Sequence, residues 1–356
     1  MKGNEQQLYD QFLQLLSISE NMQQRIISLE KSNQVLIRSN RQLADWMDDT
    51  LADIEHYREN VKFEIMDDRR KEEEPEFWYP SIAAREETIK RLIDDGASIV
   101  RFGDGEFAAM QNRIRHKFQT VKDDNLAKRL KEVLHSDEKN LLVAIADNYG
   151  SLDQYTPQTR REIRHYMTRT VRREHLNLLS RQRRYYDAYI TRPYVIYADN
   201  QTDAPAERFR QLRKIWDGRN CVFVEGCMTR MGAGNNLFEN AASIQRILVP
   251  AENAFSRYHQ ILDICLRQPK DTLFLLALGP SAAVLAYDLY MAGCQAVDAG
   301  HIDLEYEWFL QGKGCRTPVP GKYNNEMEGG EKPQKIDDAE YDGQIIADVS
   351  GMQQEA

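Results

Sequence analysis

Apolar residues recur at every seventh position along the first fifty residues of the chain. One series is dominated by leucine and runs through Leu8, Leu15, Met22, Leu29, Leu36 and Leu43. The interleaved series is mixed and runs through Phe12, Ser19, Ile26, Asn33, Asn40, Met47 and Ile54. Asparagine in the mixed series costs stability and favours a parallel two-stranded register. The pattern predicts a long helix that forms a parallel homodimer; the alternative is an amphipathic helix folded back onto its own domain.

Beyond residue 75 the pattern changes to short apolar runs separated by segments of helical period. The apolar runs predict strands over 98–102, 141–146, 194–197, 221–224, 247–249 and 272–278. Alternation of this kind predicts an α/β fold, a Rossmann-like and mainly parallel sheet flanked by helices, preceded by the long N-terminal coiled-coil helix. In such sheets ligands bind beyond the carboxyl ends of the strands, so the chemistry is expected there.

Three parts of the chain follow from these patterns. We assign residues 1–75 to a coiled-coil dimerisation arm with a charged linker, 76–323 to the globular domain and 324–356 to an acidic, loosely ordered tail. Within the domain, residues 88–95 have the pattern of a helix, which Gly96 ends in a left-handed conformation. The tail is rich in Gly, Glu, Asp and Gln and keeps one short apolar stretch, over 345–349.

Charge and cysteine content exclude several classes of protein. The net charge of −9, from 47 basic and 56 acidic residues, argues against nucleic acid as a partner. The five cysteines form no pair of C-x-x-C motifs, which argues against a zinc ribbon and for reduced core thiols. The polar start and the lack of an apolar run near ~20 residues predict a cytoplasmic protein. An arginine-rich stretch over 160–184 fits a solvated helix face better than a peripheral membrane contact.

The segment Arg-Phe-Gly-Asp-Gly-Glu over 101–106 stands where the first long apolar run ends. Asp104 and Glu106 are two apart and can point the same way from an extended backbone. Such carboxylates suit Mg²⁺ or Mn²⁺, while Arg101 offers a fork for phosphate and Gly103 a close backbone approach. The plainer alternative is a strand-to-helix turn in which the two acids only stabilise the helix start.

Three further segments carry unusual polar residues at predicted strand ends. A glycine-rich loop over 225–236 contains Arg230, Gly234 and Asn235, suits a phosphate or a sugar, and matches neither Walker A nor the dinucleotide fingerprint. Gly279 and Ser281 open a helix whose N–H groups suit an anion, unless Ser281 is only its cap. The third segment crowds acids around His301, which could complete the metal site with Asp104 and Glu106, or one acid could serve as base. Its acids include Asp298, Asp303 and Glu305.

Taken in order, these segments resemble the GT-D-fold bacterial glycosyltransferases. The resemblance spans about 76–323 and rests on 101–106, 189–194, 224–235, 279–289, 300–308 and 320–323. It implies a Rossmann-like domain that transfers a sugar from a nucleotide diphosphate donor, typically UDP-glucose or a related UDP-hexose, to an acceptor glycan. The family's D-x-E motif falls on Asp104 and Glu106 and is tied to Mn²⁺ or Mg²⁺ and the diphosphate. Position 281 is Ser where many relatives are expected to have Thr, and the hydroxyl is kept.

On this interpretation, charge on the departing diphosphate is neutralised by the metal and by arginines. The expected phosphate ligands are Arg101, Arg192 and Arg230, aided by the N–H groups after Gly279. The expected sugar ligands are Asn235, Asp298 and Asp303, and the acids that could take the acceptor proton are Glu225, Asp303 and Glu305. The N-terminal arm lies outside the resemblance and suits dimerisation or docking on other glycosyltransferases. The rival functions are a metal-dependent phosphoesterase and a non-catalytic scaffold that binds a nucleotide sugar.

Overall fold

The computed structural model describes residues 2–73, 77–115, 118–324, 326, 330, 333 and 337–351. The chain divides into two compact units, Met1–Glu73 and Glu74–Ala356. The first unit is one helix, Lys2–Glu73 (α1), as the heptad pattern predicts. Leu15, Leu29 and Leu36 of the leucine series are each at least 60% exposed on this single helix. The apolar stripe of α1 is therefore not buried within its own unit.

The second unit is built on a nine-stranded sheet over the described residues. Every strand pairing in it is parallel, and the strand order is β1-β4-β3-β2-β8-β7-β5-β6-β9. The strands are Ser81–Ile82 (β1), Ser98–Phe102 (β2), Leu141–Ile145 (β3), Arg184–Asp187 (β4), Asn220–Gly226 (β5), Ser243–Val249 (β6), Leu273–Ala277 (β7), Gln295–Asp298 (β8) and Ile345–Asp348 (β9).

The α-helices connect successive strands and cover the sheet. They are Arg85–Asp94 (α2), Asp104–Met110 (α3), Asp124–Leu134 (α4), Pro157–Tyr166 (α5), Arg169–Leu178 (α6), Ala204–Arg213 (α7), Tyr258–Leu266 (α8), Ser281–Met291 (α9), Ile302–Gln311 (α10) and Ala339–Gly343 (α11). Helix α9 is the most deeply buried of them, because its residues are apolar on nearly every side and pack against β2 and β8. Gly96 follows α2 with a φ of 58°, as predicted for its end.

Most of the predicted strands are found, and their best match is β2, which covers 98–102 as predicted. The prediction of a strand over 194–197 is wrong. Tyr194 and Val195 instead form a turn whose two N–H groups donate to the carboxylate of Glu305, each over 3.0 Å. These residues are apolar because they are buried in the core rather than because they belong to the sheet. The strand in this part of the chain is β4. Its residues are polar and aromatic, so the search for apolar runs does not predict it.

The C-terminal segment also differs from the prediction of a loosely ordered tail, because residues 339–348 form α11 and β9. Strand β9 pairs with β6 and completes one edge of the sheet. Tyr341 of α11 is only 5% exposed and donates its hydroxyl hydrogen to Glu225. The segment is acidic apart from this short apolar strand, and the strand pairs with β6, which lies nearly one hundred residues earlier. Residues 352–356 lie outside the described residues.

Hydrophobic cover is thus concentrated around the central strands. Over the described residues, no helix combines the length and apolar character needed to cross a bilayer.

The chain leaves β2 towards β3 and β4 on one side of the sheet, whereas β8 adjoins β7 and β5 on the other. Diverging connections of this kind open a crevice at the carboxyl ends of the central strands.

Candidate active site

A cavity of about 460 Å³ lies at the carboxyl ends of the strands. Its walls come from the segments that follow β2, β3, β4, β5, β7 and β8. Of the residues predicted for the site, those that line it are Arg101, Gly103, Asp104, Glu106, Arg192, Gly279, Asp298, His301 and Asp303. This volume is within the range of pockets that bind small molecules and cofactors.

The two acids of the D-x-E segment occupy the first turn of α3. Strand β2 ends at Phe102, Gly103 is extended, and Asp104 begins the helix. Glu106 reaches back and accepts a hydrogen bond from the Gly103 N–H over 2.8 Å. Burial raises the pKa of Glu106, and neighbouring Asp298 raises it further. The alternative of a strand-to-helix turn is therefore present, and the same turn places both acids on the cavity wall.

Arg101 joins β2 to the end of β8. It donates to the Asp298 carboxylate over 2.8 Å and to the Asp298 carbonyl over 2.9 Å. A Cβ atom at Gly300 would lie 1.9 Å from the Arg101 guanidinium, and Gly300 has a φ of 50°, so glycine is required there. Burial raises the pKa of Asp298 against the opposing charge of Arg101. Arg101 thus fixes Asp298 beside Glu106.

A second support holds Asp104 from the opposite direction. The Arg115 Nε atom lies 2.6 Å from Asp104 Oδ2, and the Arg115 guanidinium lies over the Tyr166 ring at 4.3 Å. The Tyr166 hydroxyl lies 2.9 Å from Nε2 of His175, whose other ring nitrogen contacts Tyr149. Burial lowers the pKa of His175 to about 3, so the ring is neutral near pH 7. This neutral histidine fixes Tyr166 on the cavity wall.

Aromatic rings form another part of the wall. The ring of Phe118 lies 6.1 Å from that of His301 and 5.4 Å from that of Tyr323. Gly279, with a φ of 61°, permits the close approach of Phe118, since a Cβ there would lie 2.7 Å from Phe118 Cβ. Edge-on and tilted rings of this kind suit a flat, aromatic part of a ligand.

A carboxylate at the start of α10 completes the polar lining. Asp303 accepts hydrogen bonds from Lys322 over 2.7 Å and from Asn235 over 2.8 Å. Both donors also bind Glu307, so a buried lysine is shared between two acids. Asn235 does not line the cavity, and its contact with the site runs through Asp303.

Two of the acids predicted as a possible base lie away from the cavity wall. Glu225 is fully buried, forms an ion pair with Arg246 and accepts hydrogen bonds from Met231 N–H and Tyr341. Glu305 is also fully buried and holds the turn at 194–195 described above. Burial raises the pKa of Glu225, and it raises the pKa of Glu305 to about 7.

Three further predicted residues are not brought to the cavity either. Arg230 pairs with Asp338 over 3.0 Å and lies over the Tyr341 ring at 4.4 Å. Gly234 has a φ of 79° in the glycine-rich loop, where its conformation serves the turn. Ser281 is 1% exposed in the first turn of α9. These residues do not line the cavity, although the loop that carries two of them does contribute Thr229 and Met231.

Several cavity residues were missed by sequence reasoning. They are Arg115, Phe118, Tyr166, Arg316 and Glu326. None of them follows a predicted strand, and each reaches the cavity from a loop or helix end that the apolar pattern does not place. The nearby signals in the sequence are the arginine-rich stretch at 160–184, which contains Tyr166, and the segment 320–323, which lies between Arg316 and Glu326.

The carboxylates at the start of α3 fit a hard divalent cation whose remaining ligands are phosphate oxygens. Asp104 and Glu106 supply carboxylate oxygens, and Asp298 and His301 line the same cavity. Among the residues that the structure describes, no three His, Cys, Asp or Glu side chains lie close enough to bind a metal ion by themselves. Mg²⁺ typically takes only one or two carboxylates and completes its shell with substrate phosphates and water.

The fold and the site agree with one family. The family model for the glycosyltransferase GT-D fold matches residues 99–327, which is more than half of the chain. The chain therefore belongs to the GT-D-fold glycosyltransferase family. The match covers the D-x-E turn, the cavity and nearly all of the sheet.

Relatives and solved structures are also described as glycosyltransferases. The chain is 32% identical over 282 residues to the probable glycosyl transferase Gly of Streptococcus gordonii, a match that covers 78% of this chain and 40% of that protein. It is 32% identical over 269 residues to the glycosyltransferase GlyD of Streptococcus pneumoniae serotype 4, covering 74% and 32%. The chain thus spans less than half the length of these relatives.

Two solved structures resemble the second unit closely. One is a new glycosyltransferase from Streptococcus sanguinis, with a TM-score of 0.70, 32% identity and coverage of 76% of this chain and all of that one. The other is a domain of unknown function, number 1792, with a distinct glycosyltransferase fold; it has a TM-score of 0.69, 33% identity and coverage of 76% and 96%.

Proposed function

We propose that the protein transfers a hexose, of the glucose type, from a UDP-sugar to an acceptor glycan of a glycoprotein or surface polysaccharide, with Mn²⁺ or Mg²⁺ as cofactor. The observation that carries the proposal is the cavity wall itself. Asp104 and Glu106 stand there beside arginines and an aromatic group, at the carboxyl ends of the central strands. A phosphoesterase would use the same acids and arginines, so it remains the rival function.

The chemical need in this reaction is to stabilise the departing diphosphate. Asp104 and Glu106 would hold the divalent cation, which offsets the negative charge of the leaving group when bound. Arg192 presents a guanidinium to the cavity, and the N–H groups at the start of α9 add partial positive charge behind Gly279. The rings around Phe118 supply a surface for the uracil base.

The acceptor hydroxyl must lose a proton during transfer. Of the three acids predicted for this step, only Asp303 lines the cavity. Lys322 and Asn235 orient its carboxylate and hold it in place. For an inverting reaction we therefore assign the base role to Asp303.

We propose in addition that α1 forms a parallel two-stranded coiled coil with a second copy. Leu15, Leu29 and Leu36 of its leucine series are exposed, and Asn33 and Asn40 occupy the interleaved series. Paired asparagines at such positions favour two strands in one register. Light scattering of the full chain tests this: Leu29→Asp should give monomers, whereas Gln24→Asp, outside both series, should leave the dimer. A monomeric wild type would contradict the dimer and favour the alternative of a helix folded back onto its own domain.

The transferase assignment is tested by measuring UDP release from a panel of UDP-hexoses with Mn²⁺, with and without a glycan acceptor. Acceptor-dependent release that Glu106→Gln abolishes supports the proposal. The matched control is Glu207→Gln, an exposed acid on α7 that pairs with Arg210 outside the cavity. Acceptor-independent cleavage of the donor to UMP and hexose 1-phosphate, followed by chromatography of the same reactions, identifies a phosphoesterase. Binding of UDP-sugar without turnover identifies a scaffold.

A further inference from the structure

Cations on the cavity wall surround one internal carboxylate. Glu326 accepts two hydrogen bonds from Arg192, one of them 3.0 Å long at Oε2, and Arg316 Nε lies 3.1 Å from the same oxygen. The His301 Nε2 atom lies 3.6 Å from Glu326 Oε1. All four side chains line the cavity that also holds Asp104. Two guanidinium forks and an imidazole thus converge on one anion, which is how proteins bind phosphate oxygens.

The cations and the carboxylate are held by different parts of the unit. Arg192 follows the short helical turn Ala188–Thr191 that ends β4, and its side chain is 16% exposed. Arg316 is fixed from its other side by Glu162 of α5, with one contact of 2.9 Å. Arg192 also lies 3.9 Å from the buried carboxylate of Glu305, so each of the two guanidinium groups faces a second acid besides Glu326.

The backbone at Glu326, in contrast, is supported locally by Asn324. The Asn324 N–H donates to the Gly330 carbonyl over 2.8 Å, and the Glu326 N–H donates to the Asn324 side chain over 2.9 Å. Among the described residues, the Glu326 carboxylate contacts Arg192, Arg316 and His301. Its place in the cavity therefore depends on the charges it meets there.

Those charges keep Glu326 ionised. The guanidinium groups of Arg192 and Arg316 both lie against its carboxylate, and opposite charges this close favour the charged form of an acid. An ionised carboxylate in this position neutralises a cavity wall that would otherwise present uncompensated positive charge. Partial removal of such a cluster from water makes the pairing more important than it would be on an open surface.

We propose that Arg192, Arg316 and His301 form an oxyanion site for one phosphate of a nucleoside diphosphate, and that Glu326 is the internal ligand which that phosphate displaces. The carboxylate fork and a phosphate present paired oxygens of similar geometry to a guanidinium. The identity of the ligand as the donor diphosphate rests on the proposed function, whereas the oxyanion site rests on the cluster alone. Displacement makes the apparent Kd of the ligand its intrinsic value divided by the fraction of molecules with the site open.

The test is calorimetric titration of wild type, Glu326→Gln and Glu162→Gln with two probes: UDP with Mn²⁺, and inorganic pyrophosphate without a divalent cation. We expect Glu326→Gln to bind both probes about tenfold more tightly than wild type. Glu162→Gln is the matched control, because it removes the same charge from the same cavity and from the same arginine but leaves the internal ligand. We expect no gain from it. Arg316→Gln should weaken both probes.

The possible results separate this inference from the proposed function. Unchanged or weaker binding by Glu326→Gln, an equal gain in Glu162→Gln, or no pyrophosphate binding by any of the proteins would overturn the displacement. Tighter pyrophosphate without any UDP binding would support the oxyanion site and contradict the UDP donor. Glu326→Asp, which keeps the charge on a shorter arm, should show a smaller gain and provides a second variant should Glu326→Gln unfold.

Discussion

Two ion pairs of the sheet have the same construction and different surroundings. At the centre, Arg101 of β2 holds Asp298 at the end of β8, next to Glu106. Towards one edge, Arg246 of β6 holds Glu225 of β5. The first pair borders the cavity, whereas the second is closed off. An acid at a strand end therefore serves the site only where the sheet leaves it uncovered.

The covering element explains the difference. Tyr341 of α11 bonds Glu225, and its ring lies 4.3 Å from the Arg246 guanidinium. Strand β9 then pairs with β6 and seals that edge of the sheet. In the part of the chain that the structure describes, no helix covers the end of β2 in the same way, because α3 begins directly at Asp104 and its two acids line the cavity. We expect the central pair to serve catalysis and the covered pair to serve stability.

The largest effect is expected from Glu106→Gln at the open site. The amide can still accept the hydrogen bond from Gly103 N–H but cannot supply the negative oxygen that a metal needs. Turnover should fall about a thousandfold, or about 4 kcal/mol, with little change in the free energy of unfolding. Initial rates of UDP release and urea unfolding measure the two quantities. A loss of activity below tenfold would remove Glu106 from the metal site.

At the covered site, Glu225→Gln should reverse this pattern. The change leaves the Arg246 charge buried without its partner, so the free energy of unfolding should fall by about 3 kcal/mol. The rate per folded molecule should stay within about twofold of wild type. Urea unfolding and initial rates are again the measurements. A variant of wild-type stability that has lost activity would mean that Glu225 acts in the reaction.

The pH dependence of stability tests the enclosure of Glu305. Burial raises its pKa to about 7 from an ordinary value of 4.5, so the folded state holds this proton more tightly than the unfolded state. The sign follows: its contribution is most favourable below pH 4.5 and is lost as pH rises to 7, by about 2–3 kcal/mol. Subtracting the unfolding free energies of Glu305→Gln from those of wild type across this range isolates the slope. A difference that is flat with pH would show that Glu305 is ionised throughout.

The smallest effects come from a matched pair of tyrosines. Tyr341→Phe removes the hydroxyl over Glu225, and Tyr166→Phe removes the hydroxyl next to His175 on the cavity wall. Each should cost about 1 kcal/mol of stability. Only Tyr166→Phe should also lower turnover. The ring under Arg115 loses its contact with His175, so Arg115, and through it Asp104, is held less firmly. Equal turnover of the two variants would contradict the division between open and covered sites.

Much of the fold could be predicted because the central strands are buried on both faces. Residues 98–102 read as a strand for that reason, whereas 194–197 is equally apolar and forms a turn held by Glu305. Strand β9 was hidden because its stability comes from a partner distant in sequence. The local pattern of apolar residues shows that a segment is buried, but it does not show which distant element buries it.

The site shows the same limit. Asp104, Asp298 and His301 follow strands in the sequence, and parallel strands bring their carboxyl ends to one edge, so their meeting was predictable. Glu225 also lies at the carboxyl end of a strand, and Tyr341, more than one hundred residues later, is part of what covers it. Nothing in the local sequence around Glu326 indicates its arginine partners.

We propose that the turn at Asp104 binds a metal and a nucleotide diphosphate together. Isothermal titration with UDP, with and without Mn²⁺, tests it on wild type and Asp104→Ala, with Asp137→Ala as control because that side chain is 98% exposed. We expect wild type and the control to bind UDP more tightly with Mn²⁺ than without it, and Asp104→Ala to show no gain from Mn²⁺. Equal binding by Asp104→Ala, or no binding by wild type in either condition, would contradict the claim.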